Sequence, residues 1–210
     1  MPLLLVHRIL LGLALAILLT SALGWTGSSL SQWATLDSAA VRAFLQAPAP
    51  ETASPLLGLL GMAFLHADLA HLGGNLLYFW IFGGLVGELV GWRWMLGIFL
   101  LTALSASGAF VLLNPDGLSI GASGAVSGFM GAYLGLAVRW HLPFPEIWPL
   151  AHPVPPTNLI ILGCAYFVLD LLGIFGAGVG IAYSAHLGGF LGGLILTSFL
   201  LRPEKPHSAR

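Results

Sequence analysis

Six stretches of this chain are almost purely apolar, each about long enough to cross a lipid bilayer, and they leave little sequence between them. A spanning helix needs roughly 20 mainly apolar residues. Only helices and closed barrels satisfy every backbone polar group in lipid, so runs of this length restrict the chain to a bundle of membrane helices. The spans are predicted at about Leu3 to Trp25, Leu56 to Val90, Trp94 to Leu113, Ile120 to Arg139, Asn158 to Phe175 and Ile181 to Leu201. The second is too long for one straight crossing, so its front end is expected to be a loop or a partly immersed lead-in. Hydrophobic residues make up 58% of the chain and charged residues 7%, far below the roughly 25% usual in soluble domains.

The chain reads as an all-α membrane protein: a six-helix membrane domain over residues 1–201 and a short polar tail over 202–210. The first span also has the small-residue stretch Ser21-Ala22-Leu23-Gly24, as a cleaved signal peptide would, but Arg8 interrupts its apolar start and favours an uncleaved helix. The net charge of -1 gives no case for a nucleic-acid partner. Cys164, the single cysteine, allows no intramolecular disulfide and reads as a packing residue.

Basic residues set the expected orientation. With six alternating helices, Arg8, Arg93, Arg139, Arg202, Lys205 and Arg210 fall on one side and only Arg42 on the other. Both termini are therefore expected in the cytoplasm, in the manner of a multi-pass protein of the cell membrane, most naturally a bacterial inner membrane. Trp92, Trp94, Trp140 and Trp148 then lie near the cytoplasmic interface and Trp25 near the outer one. The first outer loop, residues 26–55, carries Leu30, Trp33, Leu36, Val41, Phe44 and Leu45 at roughly helical spacing and is expected to lie in the interface. The cytoplasmic loop 140–156 holds six prolines and should be irregular.

Within these apolar spans a few polar side chains stand out. Ser123 sits in Gly121-Ala122-Ser123-Gly124, and His186 in Ala185-His186-Leu187-Gly188-Gly189. His71 and Asn75 are four residues apart and share a helix face. In the predicted topology all three sites fall toward the outer ends of their helices, at one depth. Burying an ionisable group in a membrane is costly without a partner, so each marks a functional hypothesis. A histidine that takes the hydroxyl proton activates serine as a nucleophile. Unpaired N–H groups at a helix start, with His71 and Asn75, can donate to an oxyanion.

Each site also has a plain packing interpretation. Gly124-xxx-Gly128 is a small-xxx-small helix contact, and membrane Ser, His and Asn often bridge helices. If the glycine face of Gly189 and Gly193 meets that of the fourth helix, His186 and Ser123 come within hydrogen-bond reach. His66 is expected to order the loop at the outer end of the second helix. Asp170, the one aspartate inside a span once the lead-in of the second is set aside, is assigned to the outer end of the fifth helix in preference to His186. A His-Glu-x-x-His zinc motif is absent from the sequence.

Taken together, Gly121-Ala122-Ser123-Gly124, Ala185-His186 with Gly188-Gly189, and His71-x-x-x-Asn75 resemble the motifs of the rhomboid intramembrane serine proteases, in the family's order, across about residues 60–200. The resemblance implies a rhomboid-like six-helix bundle in its minimal bacterial-type form. It implies Ser123 as nucleophile, His186 as general base, and an oxyanion hole of His71, Asn75 and the Ser123 backbone N–H. Gly121 would shape the turn and Gly124 belongs to the nucleophile motif. It also implies cleavage of transmembrane protein substrates in the bilayer by a Ser-His dyad, with no metal or cofactor. The oligomeric state is left open. Ser127 stands where many members carry a tyrosine, the family's Trp-Arg pair of the first outer loop is absent, and Glu88 lies thirteen residues after Asn75 instead of twelve. The alternatives are a catalytically inactive relative that binds membrane helices, and a small channel or transporter. A channel would carry polar residues along a helix face at every depth.

Overall fold

The computed structural model describes residues 2–142, 144, 154–176 and 180–199. Its elements run in chain order as α1 (Pro2–Trp25), α2 (Leu30–Ala34), β1 (Leu36–Asp37), α3 (Ser38–Gln46), α4 (Gly58–Gly61), α5 (Leu69–Tyr78), α6 (Gly84–Val90), α7 (Trp92–Leu113), β2 (Leu118–Ser119), α8 (Ser123–Arg139), α9 (Pro156–Phe175) and α10 (Tyr183–Phe199). The protein is mostly helical. Short 3-10 turns occupy much of the stretch between α3 and α5.

Among the described residues, four helical stretches are long and apolar enough to cross a membrane: Leu4–Trp25, Leu69–Val90, Trp92–Leu113 and Pro156–Phe175. The second joins α5 to α6 through a π-helical turn at Phe79–Gly83, one of the places where helices absorb an extra residue. The remaining two predicted spans form α8 and α10, each 17 residues long as described. At 1.5 Å per residue these reach about 26 Å.

Burial explains the arrangement. α8 has twelve buried residues, from Gly124 to Leu136, and occupies the centre. α10 packs most extensively against α8 and next against α7. α9 buries only Leu159, Gly163 and Asp170 and turns apolar side chains such as Ile161, Leu169, Leu172 and Phe175 outward. Helices that are apolar on their exposed faces belong in lipid. The main core gathers Phe79, Phe82, Phe99, Phe129 and Tyr133 between α5, α6, α7 and α8.

The glycine faces meet as expected. A Cβ on Gly189 would run into the carbonyl oxygen of Gly124, and one on Gly193 into that of Gly128. With no side chain between them, the two backbones touch, which is the purpose of small-residue stripes in membrane helices.

The front of the second span is a lead-in, as expected from its length: α4 and its flanking turns lead to Asp68, which caps α5 by accepting from the His71 N–H at 2.8 Å. One expectation changes in detail. The first outer loop is not one amphipathic helix. Asp37 caps α3 by accepting from Ala40 N–H, and extended residues 36–37 pair antiparallel with 118–119. Satisfying the backbone of the segment before Ser123 outweighs the loop's helical periodicity. Most of the proline-rich 140–156 connection and the whole 202–210 tail lie outside the described residues.

Candidate active site

Ser123 is the first residue of α8 and His186 lies in the first turn of α10. The glycine contact sets the height of one helix against the other. As a result His186 Nε2 stands 2.7 Å from Ser123 Oγ. On the opposite side of the ring, His186 Nδ1 lies 2.9 Å from Asp170 Oδ1, and Asp170 is buried on α9. These two contacts define the proton positions together. A carboxylate only accepts, so Nδ1 carries the hydrogen and donates to Asp170. Nε2 is then bare and accepts from the Ser123 hydroxyl.

The Asp170 contact departs from the expectation that this residue organises the outer end of its helix: its carboxylate lies against His186 Nδ1. The sequence could not place it there, because the face of α9 that meets α10 is set by helix rotation and not by any local motif.

His71 and Asn75 lie one turn apart on α5 and line the same cavity as Ser123 and His186. That cavity is about 580 Å³, and Asp68, Phe110, Ile120 and Ile181 contribute to its walls. The Asn75 side-chain amide donates one hydrogen to the His71 carbonyl at 2.9 Å, leaving its second for the cavity. A smaller cavity of about 220 Å³ adjoins the pair between α5 and α9, lined in part by Tyr78, Ser127, Met130 and Tyr166. Ser127 faces this space. Tyr78 and Tyr166 meet across it edge to face, with ring centroids 5.1 Å apart.

Gly121 has two reasons to be glycine. Its φ is +122°, outside the range that side-chain-bearing residues tolerate, and a Cβ would press on the His71 ring at 2.8 Å. The turn at Gly121 ends the extended segment and starts α8 on Ser123. The N–H groups before the serine are committed: Gly121 N–H donates to Met62 O at 2.7 Å and Ala122 N–H to His66 Nε2 at 3.2 Å. The first-turn N–H of Ser123 has no such partner among the described residues and is an available backbone donor beside its own hydroxyl.

Further ties connect the helices that carry the pair. Asn114, at the end of α7, donates to Ser184 Oγ just before His186. Ser105 on α7 donates to Gly188 O at 2.7 Å, just after it. Arg42 on α3 donates to the carbonyls of Val111 and Leu112, fastening the outer loop to the exposed end of α7. The sequence carried no signal for these ties: each joins a side chain to a backbone group or side chain distant in the chain.

Residues 54–203 match the family model described as the Rhomboid domain. Over 161 residues the chain is 30% identical to "Rhomboid protein 1, mitochondrial" of Saccharomyces cerevisiae, covering 73% of this chain and 44% of that one. Over 146 residues it is 32% identical to "Rhomboid protease GluP" of Bacillus subtilis, covering 70% of this chain and 26% of that one. The matched part is thus less than half the length of either relative.

Proposed function

The chain belongs to the rhomboid family, and from that premise we propose that it is an intramembrane serine endopeptidase cleaving transmembrane segments of other membrane proteins. The observation that carries the proposal is the 2.7 Å approach of Ser123 Oγ to His186 Nε2 between apolar helices, beside a cavity that also contains His71 and Asn75.

The chemistry follows from the proton positions. Ser123 Oγ attacks the scissile carbonyl carbon while its proton passes to His186 Nε2. The new C–O bond pushes an electron pair onto the carbonyl oxygen. Asn75 Nδ2–H, the Ser123 backbone N–H and His71, if its cavity-facing nitrogen bears hydrogen, stabilise that oxyanion. Collapse breaks the C–N bond, and His186 gives the proton to the departing amine. Water entering from the cavity then releases the acyl chain from Ser123 by the same steps, with His186 as base. Asp170 holds the Nδ1–H tautomer and stabilises the imidazolium that forms at each stage. The expected Ser-His dyad thereby becomes a pair with an acidic orienting residue.

Six crossings fit this role, with α8 and α10 as the short central pair and residues 1–201 as one membrane domain. Both termini lie on the cytoplasmic side, as six of seven basic residues favour. The substrates are membrane proteins and the solvent is the bilayer.

The test is purified protein in lipid vesicles with a labelled single-span substrate. Cleavage is expected for wild type and not for Ser123→Ala or His186→Ala, and the double variant is expected to be no worse than either single one, because the pair acts as a unit. A fluorophosphonate is expected to attach to wild type at Ser123. Undiminished cleavage by Ser123→Ala overturns the assignment. Absence of both cleavage and labelling in folded wild type favours the inactive helix-binding relative.

A further inference from the structure

We propose that His66, held by Ser21 of α1, is a positioning residue for the nucleophile: it fixes the peptide unit ahead of Ser123 so that the Ser123 N–H faces the cavity. The inference rests on Ser123 being the nucleophile. It brings α1 into the support of the site, although α1 precedes the residues matched to the family domain, 54–203.

His66 is buried, at 2% exposure, in the segment leading to α5. It makes polar contacts in three directions. Ala122 N–H donates to its Nε2 at 3.2 Å. Its Nδ1 lies 3.1 Å from Ser21 Oγ, and the Ser21 hydroxyl is 3.1 Å from the Phe64 carbonyl. Trp25 Nε1–H donates to the His66 carbonyl at 2.8 Å. One arrangement of hydrogens satisfies all of these. A backbone N–H cannot accept, so Nε2 must present its lone pair to Ala122. The neutral ring then carries its hydrogen on Nδ1 and donates to Ser21 Oγ, whose own hydrogen goes to Phe64 O. The relay has a single direction: Ala122 to His66 to Ser21 to Phe64. Burial, and secondarily the neighbouring His71, pull the His66 imidazole down to about 4, which keeps the ring neutral.

The geometric consequence lies at Ser123. Gly121 N–H is tied to Met62 O and Ala122 N–H to His66. With both preceding N–H groups anchored away from the cavity, the peptide cannot rotate to present them to substrate. The next N–H, that of Ser123, is left for the oxyanion. His66 also meets the edge of the His71 ring, at 5.0 Å between centroids, so it braces a second member of the proposed oxyanion hole.

The test compares His66→Leu, His66→Gln and Ser21→Ala in vesicles, reading kcat, KM, the fluorophosphonate labelling rate and the thermal midpoint. Gln can place Oε1 where Nε2 accepts from Ala122. His66→Leu is expected to lower kcat and the labelling rate by roughly tenfold or more, as the loss of a buried acceptor at a reacting backbone implies, with KM changed by less than about threefold. His66→Gln is expected to recover most of both. Ser21→Ala is expected to lower kcat by a few-fold. Wild-type kcat and labelling in folded His66→Leu overturn the role. If His66→Leu does not fold, wild-type kcat in Ser21→Ala, or a His66→Gln that regains the thermal midpoint and not the rate, overturns it equally.

A second readout does not depend on proteolysis. In protein labelled with 15N-histidine, His66 is expected to be neutral at pH 7 with hydrogen on Nδ1. Hydrogen on Nε2 refutes the relay even if Ser123 is the nucleophile. Conversely, an unlabelled Ser123 with an Nδ1–H His66 refutes the nucleophile and leaves the relay as a structural feature.

Discussion

His186 Nε2 reaches Ser123 Oγ at 2.7 Å across 63 residues of sequence because, one helical turn further along α10, Gly189 rests on the Gly124 carbonyl. The backbone contact sets the side-chain contact. Gly189→Val is therefore expected to abolish cleavage and to destabilise the protein by about 1–3 kcal/mol, the usual cost of overpacking. Gly73→Ala is the control, since a Cβ there meets nothing within 4 Å. It should cleave normally. Cleavage assays and thermal midpoints on the two variants decide the matter, and full activity in Gly189→Val would contradict the coupling.

Asp170 lies 2.9 Å from His186 Nδ1, so the amide of Asp170→Asn can donate where a carboxylate must accept. The ring would then favour hydrogen on Nε2 and lose its acceptor for Ser123. A fall in kcat of roughly 10²–10⁴ is expected, on the scale seen when the acid of a catalytic triad is replaced by its amide. KM should change little. Steady-state kinetics at several pH values check this, and near-wild-type kcat would show that Ser123 and His186 suffice.

Asn75 has one amide hydrogen on the His71 carbonyl and one left for the cavity. Asn75→Ala should lower kcat more than it raises KM, because the oxyanion forms only in the transition state. The loss is expected to reach about 10²–10³ at most, since the Ser123 N–H and His71 share the oxyanion. Full turnover in both Asn75→Ala and His71→Ala would reduce α5 to a packing element.

His66 predicts an acid-sensitive fold. Its pKa is lowered from an ordinary 6.5 to about 4, first by burial and then by His71, the titratable ring packed against it. The unfolded chain then binds more protons than the folded one between those values, so stability rises with pH across that window. Stability is complete above about 6.5 and declines as the pH falls toward 4. Between pH 7.5 and 5 the thermal midpoint of wild type is expected to drop by on the order of 5 °C more than that of His66→Gln, which cannot titrate there. Equal drops would mean that other groups govern acid stability.

Topology is tested by reporter fusions. Fusions at the C-terminus are expected to behave as cytoplasmic, and fusions near Gln46 as external, from the six-to-one split of basic residues. The reverse would place the cavity on the cytoplasmic face and require a different substrate geometry.

Composition and span length made the membrane helices legible, because in lipid only helices and closed barrels satisfy the backbone, and a barrel strand needs only about half this length. The glycine stripes of α8 and α10 were legible as well, since a helix face is a local property of spacing. So were the polar residues Ser123, His186, His71 and Asn75, conspicuous against an apolar background. The acid was not. Asp170 faces His186 only because α9 settles on the bundle at one rotation, and an almost wholly apolar helix carries little amphipathic signal to reveal that rotation. Nor was the anchoring of the Ser123 peptide. The bonds from Gly121 and Ala122 to Met62 and His66, and the pairing of Leu36 with Ser119, join segments that no periodicity connects. They exist because buried N–H groups must find acceptors, and only the folded chain decides which acceptors lie in reach.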